Sequence, residues 1–178
     1  MTEAQATATA FDGQRIRITT PRTFDDVLTQ LRQLIGTAAI EQYPRAMQQL
    51  DGISQENFET VVRSQLGPSE FMLFHEINHS QWLPVYGVTQ RVLRLIFGNP
   101  IIAFTMMRDD LTAGLFAPVE VLLVEHDNGD GCTVAYNLPS AMVAAEDPAP
   151  LPAARALDNR LNALISGATG VPMPARKE

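Results

Sequence analysis

The sequence has little cysteine, few basic residues and no long apolar stretch. One cysteine in 178 residues excludes an internal disulfide and a cysteine-rich zinc site. Thirteen lysines and arginines stand against 20 aspartates and glutamates, a formal net charge of −7. With no basic cluster, we expect no nucleic-acid partner. The longest apolar runs hold only a few residues, as at 121–124, so we expect no membrane partner.

The composition is that of a chain able to form a core. Hydrophobic residues make up 46% and charged residues 19% of the sequence, which excludes wholesale disorder. The length favours one domain, which we place at residues 11–168, with flexible tails at 1–10 and 171–178. The single thiol and the absence of a basic start followed by an apolar stretch predict a cytoplasmic protein.

Hydrophobic periodicity predicts nine elements in the order β-α-α-β-β-α-β-β-α. Thr23 and Ser54 are expected to cap the first two helices, which end near Gly36 and Gly67. The third helix is expected over 100–108 and the last over 153–165, after a linker at 147–152. Strands are predicted at 14–19, 71–79, 92–97, 119–126 and 132–136. The order predicts an α+β fold, a mixed or antiparallel sheet with helices packed on it.

Four segments in order resemble the motifs of one family. They are Phe74 to His79, Leu93 to Pro100, Gly114 to Pro118 and Ala135 to Pro139. Together they resemble the DUF302 (TT1751-like) family, closely over 71–142 and by element order over 14–36. The resemblance implies a compact α+β domain, often dimeric, with no established activity. Two features depart from the family pattern: Asn78 replaces its usual Asp, and residues 37–69 resemble a helical insertion.

His75-Glu76-Ile77-Asn78-His79 matches the H-E-x-x-H motif of zinc metalloproteases. The motif needs a helix, because only a helix brings residues i and i+4 close enough to share one ion. We predict a strand here, which would hold the two imidazoles roughly 13 Å apart. The predicted site therefore contains no metal and no cofactor, although a metal-dependent hydrolase using His75, Glu76 and His79 stays an alternative.

The first hypothesis for function is a small-molecule-binding protein or a cofactor-independent acid–base enzyme. His79 is the candidate proton-transfer group, because imidazole changes its charge near neutral pH. Asn99 is expected to cap the predicted helix at 100–108, whose free N–H groups would hold an anionic or carbonyl oxygen, and Gly98 would let a ligand approach the backbone closely. Arg94 and Trp82 are further candidate ligand-binding residues, Tyr136 a second catalytic candidate, and residues 37–69 a candidate lid.

Each of these residues also has a purely structural interpretation. His79 and Tyr136 fit strand-end positions, Asn99 fits a plain helix cap, and Arg94 fits a solvent-facing position on its strand. The sequence contains no dinucleotide-binding, P-loop or serine-hydrolase motif. A non-catalytic homodimeric interaction module is therefore an alternative to the small-molecule-binding protein.

Overall fold

The computed structural model describes residues 4, 6–36, 52–143 and 148–173. Within this part of the chain, five strands form one antiparallel sheet in the order β1-β5-β4-β3-β2. The strands are β1 (Arg15–Thr20), β2 (Met72–Asn78), β3 (Val92–Gly98), β4 (Val119–Glu125) and β5 (Cys132–Asn137). The predicted α+β class is confirmed, and the sheet is antiparallel throughout.

The helices of the described residues follow the predicted order. They are α1 (Phe24–Ile35), α2 (Gln55–Gln65), α3 (Pro100–Met107) and α4 (Leu151–Thr169). Helix α4 is longer at both ends than the predicted 153–165. It begins earlier because Pro152 falls in its first turn, where the missing N–H is not needed, and it ends at Gly170, whose φ is +71°. Residues 37–51 of the predicted insertion lie outside the described residues, as does Asp147 of the predicted linker.

Side-chain caps fix where the first helices begin. The Thr23 hydroxyl accepts a hydrogen bond from the Asp26 N–H (3.1 Å) and donates one to the Asp26 carboxylate (2.8 Å). At α2, the Ser54 hydroxyl accepts the Asn57 N–H (3.2 Å). Both caps were predicted, because a short oxygen-bearing side chain can satisfy an N–H group that has no partner within the helix.

One cluster of buried side chains joins the sheet to α1 and α4. Alternate strand residues such as Ile18, Leu95 and Val121 meet Leu31 and Leu161 in this cluster, which extends from Ile16 to Ala168. Val171 and Met173, which follow α4, pack against it.

The turn between α2 and β2 is held against the end of α1. The Gly67 N–H points at the Ile35 carbonyl (3.2 Å), and the Ser69 N–H and hydroxyl both donate to the Leu34 carbonyl (3.0 and 2.8 Å). These donors satisfy carbonyls that a helix C-terminus leaves without partners. They also fix where α2 ends and β2 begins. No helix of the described residues is long and apolar enough to cross a bilayer.

Arg91 joins β3 to α1 and β4 at the edge of the core. Its guanidinium lies 2.7 Å from Asp25 Oδ1 and 2.7 Å from Glu125 Oε1, and 4.4 Å from the centre of the Phe24 ring. Hydrogen bonding to Arg91 holds the pKa of both carboxyls below their usual values of 3.8 and 4.5. The folded state thus binds these two protons less readily than the unfolded chain.

We expect Arg91→Met to lower the free energy of unfolding by about 1 kcal/mol at pH 7. A lowered carboxyl pKa stabilises the fold above the unfolded value and ceases to do so as pH falls, so the deficit should shrink from pH 5 to pH 3. Urea unfolding at pH 7 and pH 3 measures it, with Arg155→Met on the exposed surface of α4 as the control. An equal deficit at both pH values would contradict the ion-pair explanation.

Candidate functional site

An apolar cavity lies between α2, α3 and the end of β3. Its volume is about 650 Å³, within the range of about 300–1,000 Å³ typical of small-molecule sites. Phe58 lies on one wall, Phe104 and Met107 on another, and Phe74 and Pro118 beside the sheet. The remaining apolar lining residues are Ile53, Pro100, Ile101 and Ala103. The cavity thus offers a ligand mainly aromatic and aliphatic surface.

The cavity lies beside α3, a helix whose apolar side chains are only partly covered by the rest of the protein. Helix α3 carries apolar side chains all round, yet of its described residues only Met106 is fully buried. Its Phe104 is 61% exposed, beside a cavity to which α2 contributes only Phe58 as an aromatic residue. Below them, Val62 and Met72 form a second small buried cluster with Leu66, Phe74 and Ile101. An exposed aromatic side chain at the mouth of an apolar cavity is typical of a binding site.

The polar groups of the cavity wall are already bonded within the protein. Ser54 caps α2, Gln55 Nε2 donates to the Glu59 carboxylate (2.9 Å), and that carboxylate accepts from Arg63 (3.1 Å). Bonds from Gln55 and Arg63 lower the pKa of Glu59, so it is ionised at neutral pH. None of the described lining residues is a lysine, arginine or histidine. The described part of the wall therefore holds one charge, the Glu59 carboxylate paired with Arg63, and no free cation for an anionic ligand.

Asn99, a predicted ligand-binding residue, uses both ends of its amide in the fold. Its Oδ1 accepts the Ile101 N–H (2.9 Å) and its Nδ2 donates to the Glu70 carbonyl (3.0 Å). The residue is 8% exposed. This geometry favours the structural interpretation, in which Asn99 caps α3 and ties it to the turn before β2.

Gly98 lies where the sheet approaches the cavity wall. A Cβ at this position would meet Phe74 Cε2 at 3.1 Å and Pro118 Cβ at 3.4 Å. Both neighbours line the cavity, so the missing side chain sets their positions. Gly98 thus shapes the wall and does not itself line it.

A second cavity of about 500 Å³ lies on the face of the sheet that α1 and α4 do not cover. Three predicted site residues, His79, Arg94 and Tyr136, line it together with Arg15, Arg17 and Glu120. Arg94 forms an ion pair with Glu120 and is 37% exposed, the solvent-facing position that the sequence favoured. We call this cavity the sheet-face trough. Its wall is polar and charged where that of the first cavity is apolar.

Trp82 lies beside the trough in the loop after β2. Its ring meets the His79 ring edge to face (5.8 Å between centres), and Tyr86 packs similarly on Trp82 (6.1 Å). Trp82 is 50% and Tyr86 77% exposed. The His79, Trp82 and Tyr86 rings thus pack in a row that extends from the trough to the solvent-exposed surface.

The structure does not bring His79 and Asn99 into one pocket, which corrects the predicted site. Strands β2 and β3 are antiparallel, with Asn78 opposite Leu93 and Met72 opposite Gly98. His79 and Asn99 follow the C-terminal ends of these two strands, so they lie at opposite ends of the strand pair. Five residues at about 3.4 Å each put roughly 17 Å or more between them. Proton transfer by His79 to a group held at Asn99 is therefore not supported.

Tyr136 lines the trough, but its hydroxyl is directed away from it, toward α4. The hydroxyl donates to Asn162 Oδ1 on α4 (2.7 Å) and lies 3.2 Å from Met173 Sδ. The residue is 3% exposed, and burial together with the nearby Asp158 carboxylate raises its pKa. Tyr136 thus ties β5 to α4, and the predicted catalytic role has no support in this geometry.

The H-E-x-x-H segment is extended, as predicted. Residues 75–78 belong to β2, and Glu76 points toward α1, where Arg32 binds its carboxylate (2.7 and 3.0 Å). His75, one residue earlier, is directed to the opposite face of the sheet. Within the described ranges, no three histidine, cysteine or acidic residues lie close enough to share a metal ion. The arrangement needed for a zinc hydrolase is therefore absent from this segment.

The single cysteine, Cys132, is placed where its thiol is unreactive. Cys132 is buried, and its pKa is raised to about 11 by burial and by the Glu125 carboxylate. Its Sγ lies 3.5 Å from the Arg22 carbonyl, toward which it points. A thiol held in the neutral form is a poor nucleophile and a poor metal ligand.

Sequence reasoning missed the aromatic residues that build the apolar cavity. Phe58, Phe74 and Phe104 each fitted a core position in its own element. The one available signal was α3 itself, which is apolar on every side yet too short to be enclosed by its neighbours.

The comparisons with known proteins agree with this fold. The model of a family described as a domain of unknown function, DUF302, matches residues 48–168. The chain belongs to the DUF302 family, as the resemblance predicted, and α2 falls inside the matched range. None of the curated proteins compared with the chain matches it.

A solved structure supports the same assignment of the fold. The uncharacterised conserved DUF302 protein of Bacillus stearothermophilus is similar to this chain with a TM-score of 0.58. The two share 14% sequence identity, over 86% of this chain and 97% of that chain. At this identity the likeness shows a common fold, and function has to be argued from the site.

Proposed function

We propose that this protein binds a neutral, apolar small molecule in the cavity between α2 and α3. The proposal is supported by the combination of an apolar wall with polar groups that are already hydrogen-bonded within the protein. Such a wall gains free energy from apolar contact and leaves a ligand few hydrogen bonds to make.

The charge of the wall indicates the ligand's head group. Among the described lining residues Glu59 is the charged one, and its partner Arg63, which is not one of them, is 61% exposed. A ligand carboxylate would meet the Glu59 charge and would have to compete with it for Arg63. A neutral alcohol, ester or hydrocarbon fits the wall better than a fatty acid of the same length.

The chemistry of the cavity is that of a carrier or a sensor. The titratable candidates His79 and Tyr136 do not line this cavity, and Glu59, the titratable residue among its described lining, is held in an ion pair with Arg63. Binding without turnover is therefore the function that this geometry favours over the acid–base enzyme. The homodimeric module stays a prediction.

Isothermal titration with matched ligands tests the proposal. 1-Octanol should bind in a saturable manner and more tightly than octanoate. From 1-hexanol to 1-octanol the affinity should rise about fourfold per methylene, since burying each CH₂ contributes about 0.8 kcal/mol.

A cavity-filling variant supplies the control. Ala103→Trp places an indole in the cavity and should weaken 1-octanol binding at least tenfold. Ala163→Trp makes the same change on the exposed surface of α4 and should leave binding within twofold. Equal binding by both variants, or no saturable binding to the unmodified protein, would show that the cavity is not a ligand site.

A further inference from the structure

The uncovered face of the sheet concentrates positive charge on an acidic protein. The chain carries a formal net charge of −7, yet the described lining of the trough has three arginines against one acid, Glu120. Fixed charges of one sign in a concave surface raise the local concentration of counter-ions. The field of this face is thus opposite to the protein's overall charge.

Strand register places two arginines on either side of a small apolar floor. Arg17 lies opposite Ala135, Ala135 opposite Leu122, and Leu122 opposite Arg94. Three steps between strands separate the Arg17 and Arg94 backbones by about 14 Å. An arginine therefore stands at each end of a floor made by one alanine and one leucine.

The three arginines of the trough differ in whether their side chains are already bonded to other residues of the protein. Arg94 is paired with Glu120, and Arg15 donates to Asn137 Oδ1 (3.0 Å). Within the part of the chain that the structure describes, the Arg17 side chain has no hydrogen bond or ion pair. Arg17 is thus available to an outside anion at once, whereas Arg94 must exchange its partner.

We propose that the sheet-face trough binds a small organic molecule that carries two anionic groups, one for Arg17 and one for Arg94. The apolar floor contacts the body of the molecule, and guanidinium groups favour carboxylate or phosphate oxygens through paired N–H donors. Glu120 competes with the ligand for Arg94 and so lowers the affinity of the site. This site shares no described lining residue with the apolar cavity, so the two binding proposals are tested independently.

Titration calorimetry at low salt, with citrate and inorganic pyrophosphate as probes, tests this proposal. Both probes are needed, because arginine side chains bind carboxylate and phosphate oxygens in the same way. Citrate should bind more tightly than acetate, and pyrophosphate more tightly than inorganic phosphate, since one anionic group reaches one arginine only. Trp82, the one tryptophan in the sequence, should report the same event by its fluorescence through His79.

Charge variants separate this site from nonspecific attraction. Arg17→Gln and Arg94→Gln should each weaken binding about tenfold, the size of one charge-assisted hydrogen bond in a partly exposed site. Glu120→Gln should strengthen it, because Arg94 is then released from its ion pair. Arg155→Gln removes an exposed arginine of α4 and should leave the affinity within twofold.

Three results would overturn the proposal. They are an absence of saturable binding of either probe up to millimolar concentrations, unchanged affinity in Arg17→Gln, or weaker binding in Glu120→Gln. A short single-stranded oligonucleotide provides a third arm. If it binds more tightly than citrate and loses affinity in the arginine variants, the occupant is a nucleic-acid strand and the small-molecule assignment is wrong.

Discussion

Gly67→Ala is expected to destabilise the protein by about 3 kcal/mol or more, the upper end of the cost of overpacking. A Cβ at position 67 would lie 2.4 Å from the Ile35 carbonyl carbon and 2.5 Å from the Gly36 nitrogen. Both are backbone atoms, so no side-chain rotation relieves the clash. The turn and the end of α1 must separate, which also breaks the bonds from Gly67 and Ser69 to α1 carbonyls.

Urea unfolding of Gly67→Ala and Gly129→Ala measures this effect. Gly129 has a φ of +68°, and a Cβ added there would have no neighbouring atom within 4 Å. Its variant therefore suffers backbone strain alone, about 1 kcal/mol. A Gly67→Ala variant no less stable than Gly129→Ala would show that α1 and the turn do not approach this closely. Because the turn fixes the end of α2, the Gly67 variant should also loosen the apolar cavity.

Asn99→Ala is expected to destabilise the protein by about 2–4 kcal/mol. The change removes the cap of α3, which contributes about 1 kcal/mol, and leaves the Glu70 carbonyl without its amide donor at a cost of about 1–3 kcal/mol. Glu70 has a φ of +62°, a conformation that the Asn99 bond helps to hold. Thermal and urea unfolding both report the loss.

Asn99→Ser separates the two contributions. Serine can still cap the helix but cannot reach Glu70, so its stability should fall between those of the unmodified protein and Asn99→Ala. The structural role makes a second prediction: Asn99→Ser should keep 1-octanol affinity within a few-fold at temperatures where it is folded. An Asn99→Ser variant of unchanged stability that loses ligand affinity would instead show that Asn99, which lines the cavity, contacts the ligand.

The element order was predictable because it depends on local patterns. Thr23, Ser54 and Asn99 each cap the helix that the sequence assigned to them. Alternation in the strands located all five within about a residue or two of their observed ends. Caps and periodicity need only neighbouring residues, so they can be recognised without the tertiary structure.

The site was harder to predict because it depends on register and packing between distant elements. His79 and Asn99 both follow strand ends, and only the antiparallel pairing of β2 with β3 shows that these ends lie apart. Tyr136 lies at a strand end too, but the packing of α4 decides that its hydroxyl meets Asn162. The contribution of Phe58 to the cavity likewise depends on where α2 rests.

Methyl NMR of protein labelled at isoleucine and methionine tests the binding proposal most directly. On saturation with 1-octanol, the signals of Ile53, Ile101 and Met107 should shift, because these residues line the apolar cavity. Those of Ile16 and Ile18, buried between the sheet and the helices, should stay in place. Shifts confined to residues outside the cavity, or no shift at any of the three, would contradict an open ligand site between α2 and α3.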